Sequence, residues 1–157
     1  MNWGGGPHLK YILMKKVDLA YIIDDDEIII YLTDKILKKV EFCNRVEKFT
    51  DAQTALAKLK SSIAEGKDIP EVILFDLNMP NMDGWGFMDE FIKIPLKKKI
   101  PAFIFTSSID PADMQKSYTY KEIKGFITKP LTNTKLDKIL RLIDEDSEEN
   151  RSAGLVE

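Results

Sequence analysis

Cysteine and histidine are almost absent from the sequence: one residue of each, Cys43 and His8, occurs among 157. A single cysteine excludes an internal disulfide and any metal site that needs several cysteines. A single histidine, placed beside Pro7 in an irregular opening segment, removes nearly all mechanisms built on catalytic triads or histidine ligands. The chemistry of the chain must therefore come mainly from carboxylates, hydroxyls and lysines.

Long apolar runs are also missing. No run approaches the ~20 residues that a membrane-spanning helix needs, and the first residues lack the pattern of a secretory signal, so we expect a cytoplasmic protein that does not bind membranes. The net charge of -3 argues against a nucleic-acid-binding protein, which needs a basic face to meet phosphates. A hydrophobic content of 44% and a charged content of 31% favour a packed core.

The chain divides into three parts by composition. Residues 1–16 contain three consecutive glycines and are interpreted as a flexible N-terminal extension. Residues 17–144 alternate between apolar runs and helical patterns and are predicted to form one domain. Residues 145–157 are acidic and polar, so they are predicted to form a disordered tail.

Short apolar runs in the central part predict five strands. The runs between them have helical spacing, with apolar positions at intervals of three and four. Among these, Ile63 is expected on the buried face of the second helix and Ile92 on that of the third. The buried face of the first helix is expected to contain Ile29, Thr33, Ile36, Leu37 and Val40. Asp51 or Thr50 is expected to begin the second helix, Asp110 with Pro111 the fourth, and Thr132 the last. The predicted strands are Val17–Ile23, Phe42–Phe49, Val72–Phe75, Ala102–Phe105 and Gly125–Thr128.

Five strands that alternate with five helices predict an α/β fold, a doubly wound five-stranded parallel sheet with helices on both faces. In such a sheet, ligands bind beyond the carboxyl ends of the strands. Four of the predicted strands carry polar groups at this end: Asp24 with Asp25, Asp76, Thr106 and Lys129.

Carboxylates gathered at one edge need a cation. Two of them about 4 Å apart repel by roughly 4 kcal/mol at an effective dielectric of ~20, so a group of three takes up a proton or binds a metal ion. Oxygen ligands without cysteine or histidine favour Mg²⁺. With Lys129 and Thr106 close by, the set is typical of a phosphoryl-transfer site in which Asp76 is the nucleophile.

These motifs, in this order, resemble the receiver domain of response regulators in two-component signalling. The resemblance covers roughly residues 17–144 and implies a flavodoxin-like receiver fold in a single-domain, chemotaxis-regulator-like protein. It rests on four elements: the strand leading into Asp24-Asp25-Asp26, the run VILFDLNMPNMDG over residues 72–84, the strand leading into Thr106-Ser107, and Lys129-Pro130.

The resemblance also implies roles for individual residues. Asp76 would accept a phosphoryl group from a histidine kinase or a histidine phosphotransfer protein. Asp24, Asp25 and Asp76 would hold Mg²⁺ together with the backbone carbonyl of Asn78, and Lys129 would pair with Asp76 or its phosphoryl group.

Two further residues would form a switch. Thr106 would move toward the phosphoryl oxygens and Phe126 would change its packing. These movements would alter a face of the protein that an unidentified downstream protein binds.

The protein is expected to be a monomer or a weak dimer. It is not expected to catalyse reactions other than its own phosphorylation and dephosphorylation.

Two other functions fit parts of the pattern. A magnesium-dependent phosphatase or phosphotransferase of the haloacid-dehalogenase type also uses an aspartate nucleophile, but it needs an acid two residues later, where this chain has Asn78. A receiver fold that acts as an unphosphorylated scaffold would retain its partner in Asp76→Ala. The lysines at 97–99 are interpreted as a solvated loop rather than an anion site.

Overall fold

The computed structural model describes residues 17–156, with side chains as far as Glu145. The N-terminal extension predicted for residues 1–16 lies outside the described residues. Strands and helices alternate along the described chain. They are β1 (Val17–Ile23), α1 (Glu27–Lys39), β2 (Cys43–Phe49), α2 (Ala52–Ala64), β3 (Val72–Phe75), α3 (Gly84–Phe91), β4 (Ala102–Thr106), α4 (Pro111–Ser117), β5 (Ile123–Thr128) and α5 (Asn133–Val156).

The five strands form one parallel sheet in the order β2-β1-β3-β4-β5. This order confirms the predicted doubly wound fold. The chain moves outward from β1 to β2 and then returns to β3, so strand order reverses between β1 and β3, where open α/β sheets place their ligands. Ile23 of β1 is in register with Phe75 of β3. The residues that follow them, Asp24 and Asp76, therefore leave the sheet at the same level.

The sheet lies between two apolar layers. Residues of α2 and α3 pack on one face, and residues of α1 and α5 pack on the other. All four residues of β3 are buried, as expected for a central strand covered on both sides. The two layers hold the sheet rigidly and leave its carboxyl edge as the place where polar side chains meet.

Aspartates begin four of the helices. Asp26, Asp51, Asp83 and Asp110 are the N-caps of α1, α2, α3 and α4, and the side chain of each accepts a hydrogen bond from a backbone N–H in the first turn. Such a cap satisfies an amide that the helix leaves without a partner. The predicted helix starts at Asp51 and Asp110 are confirmed.

Two residues predicted on buried helix faces are exposed, and the predicted face of α1 is confirmed in part. Ile92 is 47% exposed. Its backbone is still helical and its N–H donates to Met88 O at 3.0 Å, so the helix turn of 3.6 residues places it at the margin of the face that contains Phe87, Met88 and Phe91. Ile63 is 36% exposed, and the neighbouring Ser62 is buried instead. On α1 the predicted face is confirmed in part: Thr33 and Leu37 are buried, and Ile29, Ile36 and Val40 are partly buried and pack against the core. Ile30, which is not among the residues predicted on this face, is buried as well.

Element ends also differ from the sequence prediction. β2 begins at Cys43 and β5 at Ile123, where pairing with β4 extends the strand ahead of Gly125. α5 continues to Val156, through most of the segment predicted to be a disordered tail. Residues 145–156 contain no proline, and the glutamates, Arg151, Ala153 and Leu155 among them are good helix formers. Among residues 17–156, no helix combines the length and the apolarity needed to cross a bilayer.

A buried carboxylate joins α1 to β2. Asp34 lies on the inner side of α1 with its side chain 9% exposed, and its Oδ2 is 2.9 Å from Lys48 Nζ of β2 and 3.1 Å from Lys38 Nζ. Burial acts to raise the pKa of Asp34, but the hydrogen bonds and charges of Lys48 and Lys38 outweigh it, so the pKa is lowered from 3.8. The ionised form of Asp34 is therefore the form that stabilises the fold.

We predict that Asp34→Asn lowers the free energy of unfolding by about 1–2 kcal/mol at pH 7. Because the pKa of Asp34 is lowered by folding, its contribution is present above the ordinary value of 3.8 and is lost as the pH falls below it. Urea unfolding of both proteins over this pH range measures the difference. A difference that stays constant as the pH falls would contradict the assignment.

Candidate metal and phosphoryl-transfer site

Three carboxylates converge at the edge where strand order reverses. Asp24 follows β1 and Asp76 follows β3, and each is fixed by its backbone: the Asp24 N–H donates to Phe49 O at 3.0 Å and the Asp76 N–H to Ile23 O at 3.0 Å. Asp24 and Asp76 are buried, whereas Asp25 is exposed. Carboxylate oxygens of the three residues lie within 4.8 Å of one another. The predicted convergence of these acids is confirmed.

Lys129 extends from the end of β5 into the same cluster. Its Nζ is 2.6 Å from Asp24 Oδ2 and 3.3 Å from Asp76 Oδ2, and its side chain is 9% exposed. The Lys129 N–H donates to Thr106 O at 2.8 Å, and the peptide bond from Lys129 to Pro130 is cis. The sheet therefore delivers a buried cation to two acids that come from other strands.

The charges of the cluster do not balance. At a separation near 4.8 Å, two carboxylates repel by about 3 kcal/mol at an effective dielectric of ~20. Burial raises the pKa of Asp24, with Lys129 acting in the opposite direction and Asp76 in the same direction. Burial alone would lower the pKa of Lys129, but Asp24 and Asp76 outweigh it, so that the pKa is raised and the ammonium is kept. One lysine faces three acids.

The residues fit a divalent cation. Asp24 Oδ1 accepts the Asp26 N–H at 2.9 Å, which holds this carboxylate in place without neutralising it. Three ionised carboxylates carry two more negative charges than the Lys129 ammonium neutralises. Their oxygen atoms are hard ligands of the kind that Mg²⁺ and Mn²⁺ prefer. Asn78 lies on the loop after β3 with an exposed side chain, and the role of its backbone carbonyl stays a prediction.

Thr106 and Phe126 lie on the neighbouring strands β4 and β5. Thr106 ends β4 and is buried, but its hydroxyl donates to Ser108 O at 3.2 Å and is thus engaged with its own loop. Phe126 is in register with Ile104 and packs, partly buried, against the apolar layer of α2 and α3. The roles of Thr106 and Phe126 as a switch stay predictions.

Gly84 supports the site through its missing side chain. A Cβ at this position would lie 2.7 Å from Asp76 O and 2.8 Å from Leu77 Cα, and the Gly84 N–H donates to Leu77 O at 2.9 Å. The start of α3 therefore packs directly on the backbone of Asp76. The Asp83-Gly84 pair is visible in the sequence as turn chemistry, but nothing in its spacing indicates this contact.

A polar-aromatic cluster, which no pattern in the sequence indicates, lies between α3 and the segment after α4. Trp85 stacks on Tyr120 with ring centroids 5.5 Å apart, and Lys116 Nζ lies 4.9 Å from the centroid of the Trp85 ring. Tyr120 donates to Asp89 Oδ1 at 2.6 Å. This bond, assisted by burial, raises the pKa of Tyr120 to about 12. The cluster joins α3, which begins next to Asp76, to the end of α4.

The fold and the site together define a class of protein. A parallel sheet of order 2-1-3-4-5 with an acidic cluster and a lysine at its switch point is the architecture of receiver domains. Residues 20–141 match the family described as "Response regulator receiver domain". The chain belongs to the response-regulator receiver family.

Known relatives agree with this assignment. The crystal structure of a two-component response regulator from Cytophaga hutchinsonii is 29% identical, covers 83% of this chain and 99% of its own, and has a TM-score of 0.76. The Mn²⁺-bound form of response regulator Rcp1 is 26% identical, with a TM-score of 0.63 over 81% of this chain and 91% of its own. The probable methanogenesis regulatory protein FilR2 of Methanothrix harundinacea is 24% identical over 87% of this chain and 88% of its own.

We predict that Gly84→Ala lowers the free energy of unfolding by about 1–3 kcal/mol, because the new methyl group meets fixed backbone atoms. Gly86→Ala in the same helix is the matched control. Its Cβ would meet only the flexible side chain of Met82 at 3.0 Å and Asp83 Oδ1 at 3.5 Å, and alanine is the better helix former. Urea unfolding of both variants gives the comparison, and equal losses would contradict the proposed close packing.

Proposed function

We propose that this chain is a single-domain response regulator that accepts a phosphoryl group on Asp76 from a histidine kinase or a histidine phosphotransfer protein. The observation that carries the proposal is the cluster itself: three carboxylates within 4.8 Å of one another, with Lys129 bridging Asp24 and Asp76. Membership of the receiver family supports the same conclusion. As in other receiver domains, we place this reaction in the cytoplasm.

The transfer step follows from the position of Asp76. A carboxylate oxygen of Asp76 attacks the phosphorus of a phosphohistidine, the phosphorus–nitrogen bond breaks, and the imidazole nitrogen leaves with the bonding electron pair. The product is an aspartyl phosphate. Lys129, whose ammonium already lies 3.3 Å from Asp76 Oδ2, is placed to neutralise the oxygens of the new phosphoryl group.

Asp24, Asp25 and Asp76 would hold Mg²⁺ together with the backbone carbonyl of Asn78. When bound, the ion supplies positive charge next to the transferred phosphoryl group. The Mn²⁺-bound structure of Rcp1 supports a divalent ion in this family. The excess of acids over Lys129 in this chain supports the ion for this site.

The same charge would operate the switch. A phosphoryl group adds about -1.5 to -2 charge and several strong acceptors. In our proposal the Thr106 hydroxyl leaves Ser108 O, to which it now donates at 3.2 Å, and donates to a phosphoryl oxygen. Phe126 then packs more deeply beside β4. Since Phe126 has no hydroxyl, its two positions would differ only in burial and packing.

A downstream protein would read the altered face of α4, β5 and α5. The affinity of this protein for the phosphorylated and unphosphorylated forms must differ, because a binding partner favours one conformation only if it binds that conformation more tightly. We propose no turnover of external substrates. The position two residues after Asp76 is Asn78, which cannot act as the acid that a phosphatase of the haloacid-dehalogenase type uses there.

We predict that incubation with acetyl phosphate and Mg²⁺ adds the mass of one phosphoryl group to the protein. The adduct should be lost on treatment with hydroxylamine, as expected for an acyl phosphate, and intact-mass spectrometry measures both steps. Asp76→Asn should show no gain, whereas Asp113→Asn, which removes an aspartate of α4 outside the cluster, should react like the wild type. An equal gain on Asp76→Asn, or rapid hydrolysis of an aryl phosphate by the wild type, would contradict the proposal.

We predict that Trp85 reports the switch, because α4 holds Lys116 against its indole ring. Addition of beryllofluoride, an analogue of the phosphoryl group, should shift the indole N–H signal of Trp85 in a ¹⁵N correlation spectrum, with Trp85→Phe assigning the signal. Thr106→Ser should keep most of the shift, and Thr106→Ala should lose most of it. An unchanged shift in Thr106→Ala would contradict the role of the hydroxyl.

A further inference from the structure

A second recess lies at the edge of the sheet opposite the acidic cluster. It has a volume of about 210 Å³ and opens between the end of α3 and the residues that precede β4 and β5. Its apolar lining comes from Phe91, Ile92, Ile94, Leu96, Ile100 and Pro101. The strands rise about 3.3 Å per residue, so the five residues of β4 place this recess roughly 16 Å from the carboxyl edge. It is no part of the phosphoryl-transfer site.

Lysines surround this apolar recess. Lys99, Lys121 and Lys124 line it together with one acid, Glu122. The lining residues therefore have a net charge of +2, in a chain whose net charge is -3. The sequence interpretation of residues 97–99 as a solvated loop does not account for an apolar recess beside them.

The size of the recess indicates what can occupy it. Pockets that enclose a cofactor or a drug-sized molecule usually have volumes of about 300–1,000 Å³. A recess of about 210 Å³ is too small for such a ligand and suits one large apolar side chain. Ile92, which is 47% exposed at its edge, adds apolar surface that this side chain could cover. Buried apolar anchors surrounded by polar contacts are the usual centres of protein interfaces.

We propose that this recess, which we call the lysine-rimmed pocket, docks an acidic segment of a partner protein through one large apolar side chain. The apolar floor would hold the anchor, and the lysines would attract the acids on either side of it, which increases the rate of encounter and selects acidic sequences. The proposal goes beyond phosphorylation of Asp76. It assigns a second surface that operates whether or not Asp76 is modified.

The test uses the full chain, labelled with ¹⁵N, and a blocked heptapeptide with four glutamates around a central phenylalanine. We expect saturable amide shifts at residues of the lysine-rimmed pocket, such as Leu96 and Ile100, with a Kd below about 1 mM. The same peptide with alanine in place of phenylalanine should bind at least about tenfold more weakly, since the anchor is lost. Equal binding of both peptides, or shifts spread over the whole surface, would overturn the proposal.

Charge-reversal variants separate the lysine-rimmed pocket from general attraction. Lys121→Glu should weaken binding of the phenylalanine peptide by at least about threefold, because the rim loses a positive charge and gains a negative one. Lys39→Glu makes the same change in net charge on α1, which packs on the other face of the sheet, and should bind like the wild type. Equal weakening by the two variants would overturn the assignment.

A membrane is the competing occupant, since lysines around apolar residues also suit an anionic lipid surface. Binding to vesicles of anionic phospholipid that Lys121→Glu abolishes, together with no binding of the peptide, would overturn the proposal in favour of a membrane. Asp76→Ala should bind the phenylalanine peptide normally. Peptide binding is therefore expected even if Asp76 is not phosphorylated. Equally, phosphorylation of Asp76 is expected even if the peptide does not bind, so the two proposals can fail separately.

Discussion

The contact of Lys129 with Asp24 and Asp76 is the interaction on which the site depends. Asp24 and Asp76 leave neighbouring strands at the same level, and the sheet brings Lys129 to within 2.6 Å of one and 3.3 Å of the other. A buried ammonium is costly without such partners, and the acids would repel one another without it. Since one lysine cannot balance three acids, the cluster retains an affinity for further positive charge. That excess links the fold to the proposed phosphoryl chemistry.

Much of this site could be predicted from the sequence, because a parallel sheet places the carboxyl ends of all its strands at one edge. Asp24, Asp76, Thr106 and Lys129 each follow or end an apolar run, so their approximate positions follow from the topology alone. Helix faces were less predictable. Ile92 has the spacing of an inward residue but is exposed, because it lies at the margin of the face of α3 that packs on the sheet.

Contacts between distant segments gave no signal in the sequence. Tyr120 donates to Asp89 across 31 residues and stacks on Trp85, and no periodicity relates these positions. The same is true of Gly84, whose absent side chain matters only because α3 packs on the backbone of Asp76. Gly84 fixes the start of α3 against the backbone of Asp76. The contacts of Trp85 with Tyr120 and Lys116 join α3 to the end of α4. Together, these contacts provide a continuous contact path from Asp76 to the proposed output face.

The central claim is that the acids exceed the charge that Lys129 can neutralise and therefore bind a divalent ion. The most direct measurement is a Mg²⁺ titration of the full chain, followed by backbone amide chemical shifts. We expect saturable shifts at residues next to Asp24 and Asp76, and we expect Mg²⁺ binding to weaken strongly in Asp24→Asn and in Asp25→Asn. The side chain of Asp25 is exposed, so its replacement tests the charge of the cluster without disturbing the core. No saturable shifts in the wild type, or unchanged binding in both variants, would contradict the central claim.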